Sequence, residues 1–188
     1  CAYLGTIGMA CALDVVLRAA TVLKNQGRHE FVFLLVGDGA VREALAEEAE
    51  KLGLDNVVFT GRQDKGIMPA FLSVTDACLV HLKKTDLFTS VIPSKIFEAG
   101  GMARPIIMGV EGNAAEIVSE AGMGVFMEPE QESALVDALT TLSGDPELAQ
   151  KMGQSGHDYI VKHFDRSILS EHYLAILQQV LDSMKGKR

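Results

Sequence analysis

The octapeptide Val91-Ile92-Pro93-Ser94-Lys95-Ile96-Phe97-Glu98 gathers the side chains best suited to holding a polar ligand. Pro93 fits the first turn of a helix. Ser94 and Lys95 then stand at its start, where free backbone amides and a cation converge on an anion. Glu98 follows three residues after Lys95 and lies on the same helical face. A carboxylate there accepts hydrogen bonds from hydroxyl groups, so one turn would carry a phosphate clamp beside a hydroxyl acceptor. The same spacing also describes an ordinary i,i+3 ion pair worth ~0.2–0.5 kcal/mol, and for these residues taken alone that is the simpler explanation.

Other segments offer weaker signals. Gly5-Thr6-Ile7-Gly8-Met9 is small enough to let backbone approach an anion and leads toward a helix start, but a tight turn explains it equally well. Val36-Gly37-Asp38-Gly39-Ala40-Val41-Arg42 begins like the dinucleotide fingerprint G-x-G-x-x-G, yet Arg42 stands where the third glycine belongs. It also follows the second strand, and no acidic residue occupies the ribose position after a first-strand loop, so nicotinamide and flavin binding are disfavoured. Gly37 therefore either admits a ligand edge or serves a turn. Thr60-Gly61-Arg62-Gln63 ends the third strand, and an arginine at a strand's carboxyl end is a candidate phosphate partner. Gly109-Val-Glu-Gly-Asn-Ala-Ala-Glu116 places Gly112 and Asn113 over a helix start, where they could cover a polar ligand, while Glu116 equally suits the helix dipole. The five histidines show no metal-ligand spacing, and His81, past the fourth strand, is more simply a core or surface residue. No G-x-S-x-G elbow supports Ser-His-Asp chemistry.

These loops need elements to hold them. Runs at Ala2 to Leu4, Phe31 to Val36, Val57 to Thr60, Ala77 to Val80, Pro105 to Met108 and Gly124 to Met127 read as strands, nearly all apolar and without alternation. Helical stripes lie between them, with Leu13, Val16, Leu17 and Ala20 in the first and Val41, Leu45, Ala49 and Leu52 in the second, Glu43, Glu47 and Glu50 facing outward. The alternation predicts an α/β fold, a Rossmann-like doubly wound parallel sheet of about six strands. After Pro129 only helices follow: Glu132 to Leu142, one opened by Asp145-Pro146, and one capped by Asp165 with Leu169, Tyr173, Ile176, Leu177 and Val180 on one stripe. Ligands of such sheets bind beyond the carboxyl ends of the strands, where the segments above converge.

The chain has 188 residues, 48% apolar and 22% charged, a soluble globular composition that fits one domain of 1–182 with a frayed tail at 183–188. With 17 Lys+Arg against 25 Asp+Glu the net charge is −8, which argues against nucleic acid or anionic lipid as general partners. Cys1, Cys11 and Cys78 form no C-x-x-C pair and suggest neither a disulfide framework nor zinc, and with no leader or membrane-length segment a cytoplasmic setting is expected. The opening Cys1-Ala-Tyr-Leu-Gly reads as a strand already under way, so a fragment of a longer protein is expected.

Taken in order, Tyr3-Leu-Gly-Thr-Ile-Gly, Leu34-Leu-Val-Gly-Asp-Gly, Val58-Phe-Thr-Gly-Arg, Ile92-Pro-Ser-Lys-Ile-Phe-Glu-Ala, Arg104-Pro-Ile-Ile and Asp145-Pro-Glu-Leu cover nearly the whole chain. Together they resemble the C-terminal, donor-binding half of a GT-B glycosyltransferase of the glycosyl transferases group 1 family, and most closely the bacterial enzymes of surface-polysaccharide synthesis. The resemblance implies that Glu98 accepts the ribose hydroxyls, that Ser94, Lys95 and the amides after Pro93 hold the diphosphate with Arg62, Gly5 and Thr6, and that the base lies near Gly37 and Gln63. Gly112 and Asn113, in the polar loop after the fifth strand, are expected among the donor-binding residues. It further implies a UDP-linked N-acetylated or deoxy sugar, retaining transfer to a polysaccharide or lipid-linked acceptor, no cofactor and no obligatory metal. Lys95 and Arg62 would stabilise the departing diphosphate. The acceptor would bind an N-terminal domain absent from this chain, leaving this chain able to bind donor but not to transfer sugar. Membrane association would be indirect, at the cytoplasmic face of the inner membrane. Three departures stand out: Ser90 replaces the first glutamate of the family's E-x7-E pair, Ala103 replaces the glycine before Arg104-Pro105, and the frequent lysine early in the first helix is missing. A UDP-N-acetylglucosamine 2-epimerase-like domain and a noncatalytic nucleotide-binding module are the alternatives.

Overall fold

The computed structural model describes residues 1–185, and six parallel strands form one sheet in the order β3-β2-β1-β4-β5-β6. The strands are β1 (Ala2–Leu4), β2 (Phe33–Val36), β3 (Val57–Gly61), β4 (Cys78–His81), β5 (Ile106–Gly109) and β6 (Gly124–Phe126). All six lie within two residues of the runs expected from the sequence. Between and after them come α1 (Asp14–Asn25), α2 (Arg42–Lys51), α3 (Met68–Ser73), α4 (Lys95–Gly101), α5 (Asn113–Glu120), α6 (Glu132–Gly144), α7 (Pro146–Phe164) and α8 (Arg166–Lys185). The expected tail is helical in α8 as far as Lys185, and its remainder, 186–188, lies outside the described residues.

The uniformly apolar strands have a direct cause, because each alternates its side chains between two buried layers. Tyr3, Phe33, Leu35, Leu79 and Ile107 face one core with Val16, Leu17, Ala20 and Leu23 of α1 and Leu135 and Leu139 of α6. Ala2, Leu4, Val36, Cys78, Val80, Ile106 and Met108 face the other with Ile96 and Ala99 of α4, Ala114 and Val118 of α5, and Ile160 of α7. The second helical stripe is shallower than its pattern implied, since only Ala49 of α2 is buried and Leu52 is exposed. That helix covers the edge half of the sheet, where a face needs less shielding.

Two glycines of α7 let it lie close on the segment that follows α4 and on the entry to β6. A Cβ on Gly153 would stand 2.1 Å from the Ala103 carbonyl oxygen, and one on Gly156 would stand 2.7 Å from Met123 Cβ. Asp145 caps α7 by accepting a hydrogen bond from the Leu148 N–H at 2.9 Å, as its place before Pro146 predicts. α4, which carries the residues of interest, is thus held between β4, β5 and α7. Among the described residues no helix is long and apolar enough to cross a membrane.

Candidate functional site

The strand order reverses between β1 and β4, and a cleft of about 850 Å³ opens at the carboxyl ends of the strands beside that reversal. Its floor is built by two loops laced together through backbone. Gly5 N–H donates to the Val36 carbonyl at 2.8 Å, and Ile7 N–H donates to the Asp38 carbonyl at 2.9 Å. Gly37 has φ +143°, and a Cβ there would lie 1.9 Å from the Gly5 oxygen, so glycine is required by the approach of one loop to the other. The turn explanation therefore accounts for Gly37, which still lines the cleft. Gly5 and Thr6 line it too, but their loop does not run into a helix start as expected. A 3₁₀ turn at Met9–Cys11 intervenes, and α1 begins only at Asp14.

The third strand delivers Arg62 and Gln63 through an irregularity. The β2–β3 register shifts so that Val36 pairs with Gly61, whose φ of +69° turns the chain toward the cleft. Gln63 Nε2 donates to the Thr60 carbonyl at 2.8 Å, and the Asp64 side chain accepts from Gly66 N–H at 2.7 Å to start the turn into α3. Lys65, Met68, Pro69 and Leu72 then form a side wall, with Met102 of α4 nearby. None of these wall residues stood out in the sequence, although Asp64 before Lys65-Gly66 is a legible cap signal.

Ser94, Lys95 and Glu98 of α4 complete the cleft. Ser94 is the N-cap residue, but its hydroxyl makes no capping bond. Pro93 sits one place ahead of the N-cap, two ahead of the first helical residue, and does not line the cleft; its carbonyl accepts from the Ile96 N–H at 3.2 Å. Lys95 and Glu98 form no ion pair with each other, which removes the simpler explanation for their spacing. Among the described residues, Arg62, Lys65, Lys95 and Glu98 have no salt-bridge partner, whereas Asp38 is held by Arg42 at 3.1 Å. Three cations thus line one cleft of a chain whose net charge is −8, with Glu98 the one unpaired carboxylate among them.

Gly112 and Asn113 do not line the cleft. Gly112, at φ +73°, lies so close to Thr89 that a Cβ would stand 2.1 Å from its carbonyl oxygen, and Asn113 N–H donates to that oxygen at 2.9 Å. The loop after β5 is thereby folded onto the loop after β4, and Glu111 pairs with Lys84 at 3.3 Å. His81 is buried, with both ring nitrogens bonded to backbone, so it is the core residue the sequence favoured. Ser90 is exposed.

The sheet order and its point of reversal define a Rossmann-like domain of the kind that makes up one half of a GT-B fold. Over residues 2–159 the chain matches the family of glycosyl transferases group 1, and it belongs to that family. Among similar proteins are the alpha-D-kanosaminyltransferase of Streptomyces kanamyceticus, 22% identical over 95% of this chain and 45% of the relative. Another is the putative colanic acid biosynthesis glycosyl transferase WcaI of Escherichia coli, 27% identical over 98% of this chain and 42% of the relative. The chain thus spans about half the length of the curated relatives it matches. Anabaena HepE in complex with UDP superimposes with a TM-score of 0.82 at 17% identity, covering 95% of this chain and 48% of that one. The C-terminal domain of LpcC, a glycosyl transferase group 1 family protein from Francisella tularensis, does so with a TM-score of 0.71 at 22% identity, covering 88% and 85%.

Proposed function

We propose that this chain is the donor-binding domain of a retaining glycosyltransferase and holds a UDP-linked sugar, N-acetylated or deoxy, in the cleft at the strand ends. The observation that carries this reading is the set of charged side chains there without an ion-pair partner among the described residues: the cations Lys95 and Arg62, and the carboxylate Glu98. A volume of about 850 Å³ suits a ligand of nucleotide-sugar size. In this reading the diphosphate lies among Lys95, Arg62, Ser94 and the Gly5-Thr6 loop, and Glu98 accepts the ribose hydroxyls. The base rests near Gly37 and Gln63 against the apolar wall of Met68 and Leu72. The HepE complex with UDP supports the choice of nucleotide.

The chemistry follows from the leaving group. Breaking the glycosyl bond builds negative charge on the departing diphosphate, and fixed cations placed there stabilise the transition state more than the ground state. Lys95 and Arg62 supply that charge without calling on a metal. Transfer also needs a surface for a polysaccharide or lipid-linked acceptor, which we assign to an N-terminal domain. The exposed apolar stripe of α8, with Leu169, Tyr173, Ile176, Leu177 and Val180, supports a partner surface of that kind. Any membrane contact would come through the acceptor, at the cytoplasmic face.

Calorimetric titration of the chain with UDP, UDP-N-acetylglucosamine, GDP and NAD tests the reading. UDP should bind, and Lys95→Ala and Glu98→Ala should each weaken it by about 10- to 100-fold, the loss of a hydrogen bond to a charged group. Binding of UDP that neither substitution disturbs would sink the assignment of the site. The chain alone should show no sugar transfer.

A further inference from the structure

Resting on the donor-site reading above, we infer that Tyr3, which does not line the cleft, is the positioning residue for its phosphate end. Its ring face seats the Lys95 ammonium, and its hydroxyl ties down the Gly5-Thr6 loop. Tyr3 is 1% exposed and belongs to the core beneath α1 and α6. Its hydroxyl donates to the Thr6 carbonyl at 2.7 Å. Cys11 Sγ lies 3.0 Å from that hydroxyl and 3.3 Å from the same carbonyl, closing a triangle under the loop. The ring meanwhile has Lys95 Nζ 4.9 Å from its centroid, inside the roughly 6 Å reach of a cation–π contact.

Lys95 passes over Gly5 to get there. A Cβ on Gly5 would stand 2.8 Å from Nζ and 2.9 Å from Cε, so the absent side chain is the space the lysine uses. A long cationic side chain is more often anchored by a carboxylate, which orients it but also offsets its charge and occupies its N–H donors. An aromatic face orients the cation by its quadrupole and leaves those donors open to a phosphate. Glu98, three residues along the same helix, stays unpaired, which is what a hydroxyl acceptor requires. One buried tyrosine therefore keeps both charged groups of α4 available. Phenylalanine would fill the same volume, but a buried phenol needs a partner for its O–H, and the partner here is the cleft loop itself.

The test is a double-mutant cycle on the 188-residue chain, read as UDP affinity by calorimetry with unfolding midpoints recorded alongside. Tyr3→Leu, which removes ring and hydroxyl, should weaken UDP about five- to tenfold. Tyr3→Phe should restore most of that, leaving about a twofold loss from the freed loop. In a Lys95→Met background Tyr3→Leu should cost no more than that twofold, since there is no ammonium left to seat. Equal fractional losses with and without Lys95 would mean that Tyr3 acts only by holding the core together, and would overturn the inference. Should Tyr3→Leu not fold, Tyr3→Met, which also removes ring and hydroxyl but fills more of the volume, takes its place, and the same comparison in the Lys95→Met background decides. If UDP binding responds to Lys95→Met but not to Tyr3→Leu, the inference fails and the donor site stands. If UDP does not bind, or binds regardless of Lys95, the donor-site reading fails and the inference falls with it.

Discussion

Both ring nitrogens of His81 are engaged by backbone, so protonating it would turn an acceptor into a donor facing another donor. Nε2 accepts from the Glu130 N–H at 2.9 Å, which leaves the proton on Nδ1 to donate to the Cys11 carbonyl at 2.8 Å. Burial lowers the pKa of this imidazole from its ordinary 6.5, against the opposing pull of that carbonyl and of Glu130 and Asp14. A histidine depressed in the folded state contributes stability that is fully present above about pH 6.5 and is lost as pH falls through the folded value, at about 1.4 kcal/mol per unit of depression. The unfolding midpoint should therefore fall further as pH drops below about 6.5, and His81→Gln should lessen that part of the fall. Gly37 is the other residue whose substitution has a definite sign. Gly37→Ala would force its Cβ to 1.9 Å from the Gly5 oxygen at φ +143°, costing at least about 2 kcal/mol by chemical denaturation and abolishing UDP binding with it.

At the scale of elements, α1, α2, α4 and α5 all end in the same paired hydrogen-bond pattern around a left-handed residue. In α1, Gly27 N–H donates to the Lys24 carbonyl and Arg28 N–H to the Leu23 carbonyl, and Gly53 and Gly122 repeat the arrangement after α2 and α5. After α4 the left-handed place belongs to Ala103, at φ +53°, with Ala103 N–H donating to Gly100 and Arg104 N–H to Ala99. A left-handed backbone of this kind is one that glycine adopts without strain. An alanine there bears a Cβ penalty of about 1–2 kcal/mol, offset in part by its stiffer unfolded chain. Ala103→Gly should therefore stabilise the chain by about 0.5–1 kcal/mol, or a few degrees in Tm, measurable by differential scanning calorimetry. It should leave nucleotide affinity unchanged, because Ala103 lies at the far end of α4 from Ser94 and Lys95.

At the scale of the whole molecule, two unequal kinds of surface meet solvent. The cleft is a small cationic region in an acidic chain, while α8 presents Tyr173, Ile176 and Val180 at 62%, 57% and 50% exposure and contributes no buried residue among those described. Stability should therefore reside in residues 1–165. Removing 166–188 should shift the unfolding midpoint by less than about 2 °C, because no core contact is lost. It should also reduce self-association in sedimentation experiments, since an apolar face of that size is prone to pair with itself. A large fall in the midpoint would show that α8 is part of the folding unit.

Periodicity and end signals settled much of this by themselves. The strand runs are apolar throughout because both faces of the sheet are buried, and Asp145-Pro146 opens a helix because side-chain capping and a fixed φ are local properties. The order of the loops was equally legible, and Gly5, Thr6, Gly37, Arg62, Gln63, Ser94, Lys95 and Glu98 do meet in one cleft. The wall formed by Lys65, Met68 and Pro69, the withdrawal of Gly112 and Asn113 onto Thr89, and the choice between an ion pair and two free charges at Lys95 and Glu98 were decided only by tertiary structure. Spacing along a helix says which side chains share a face. Which of them meet depends on what else reaches that face, and here a tyrosine from a strand ninety-two positions earlier in the chain reaches Lys95 first.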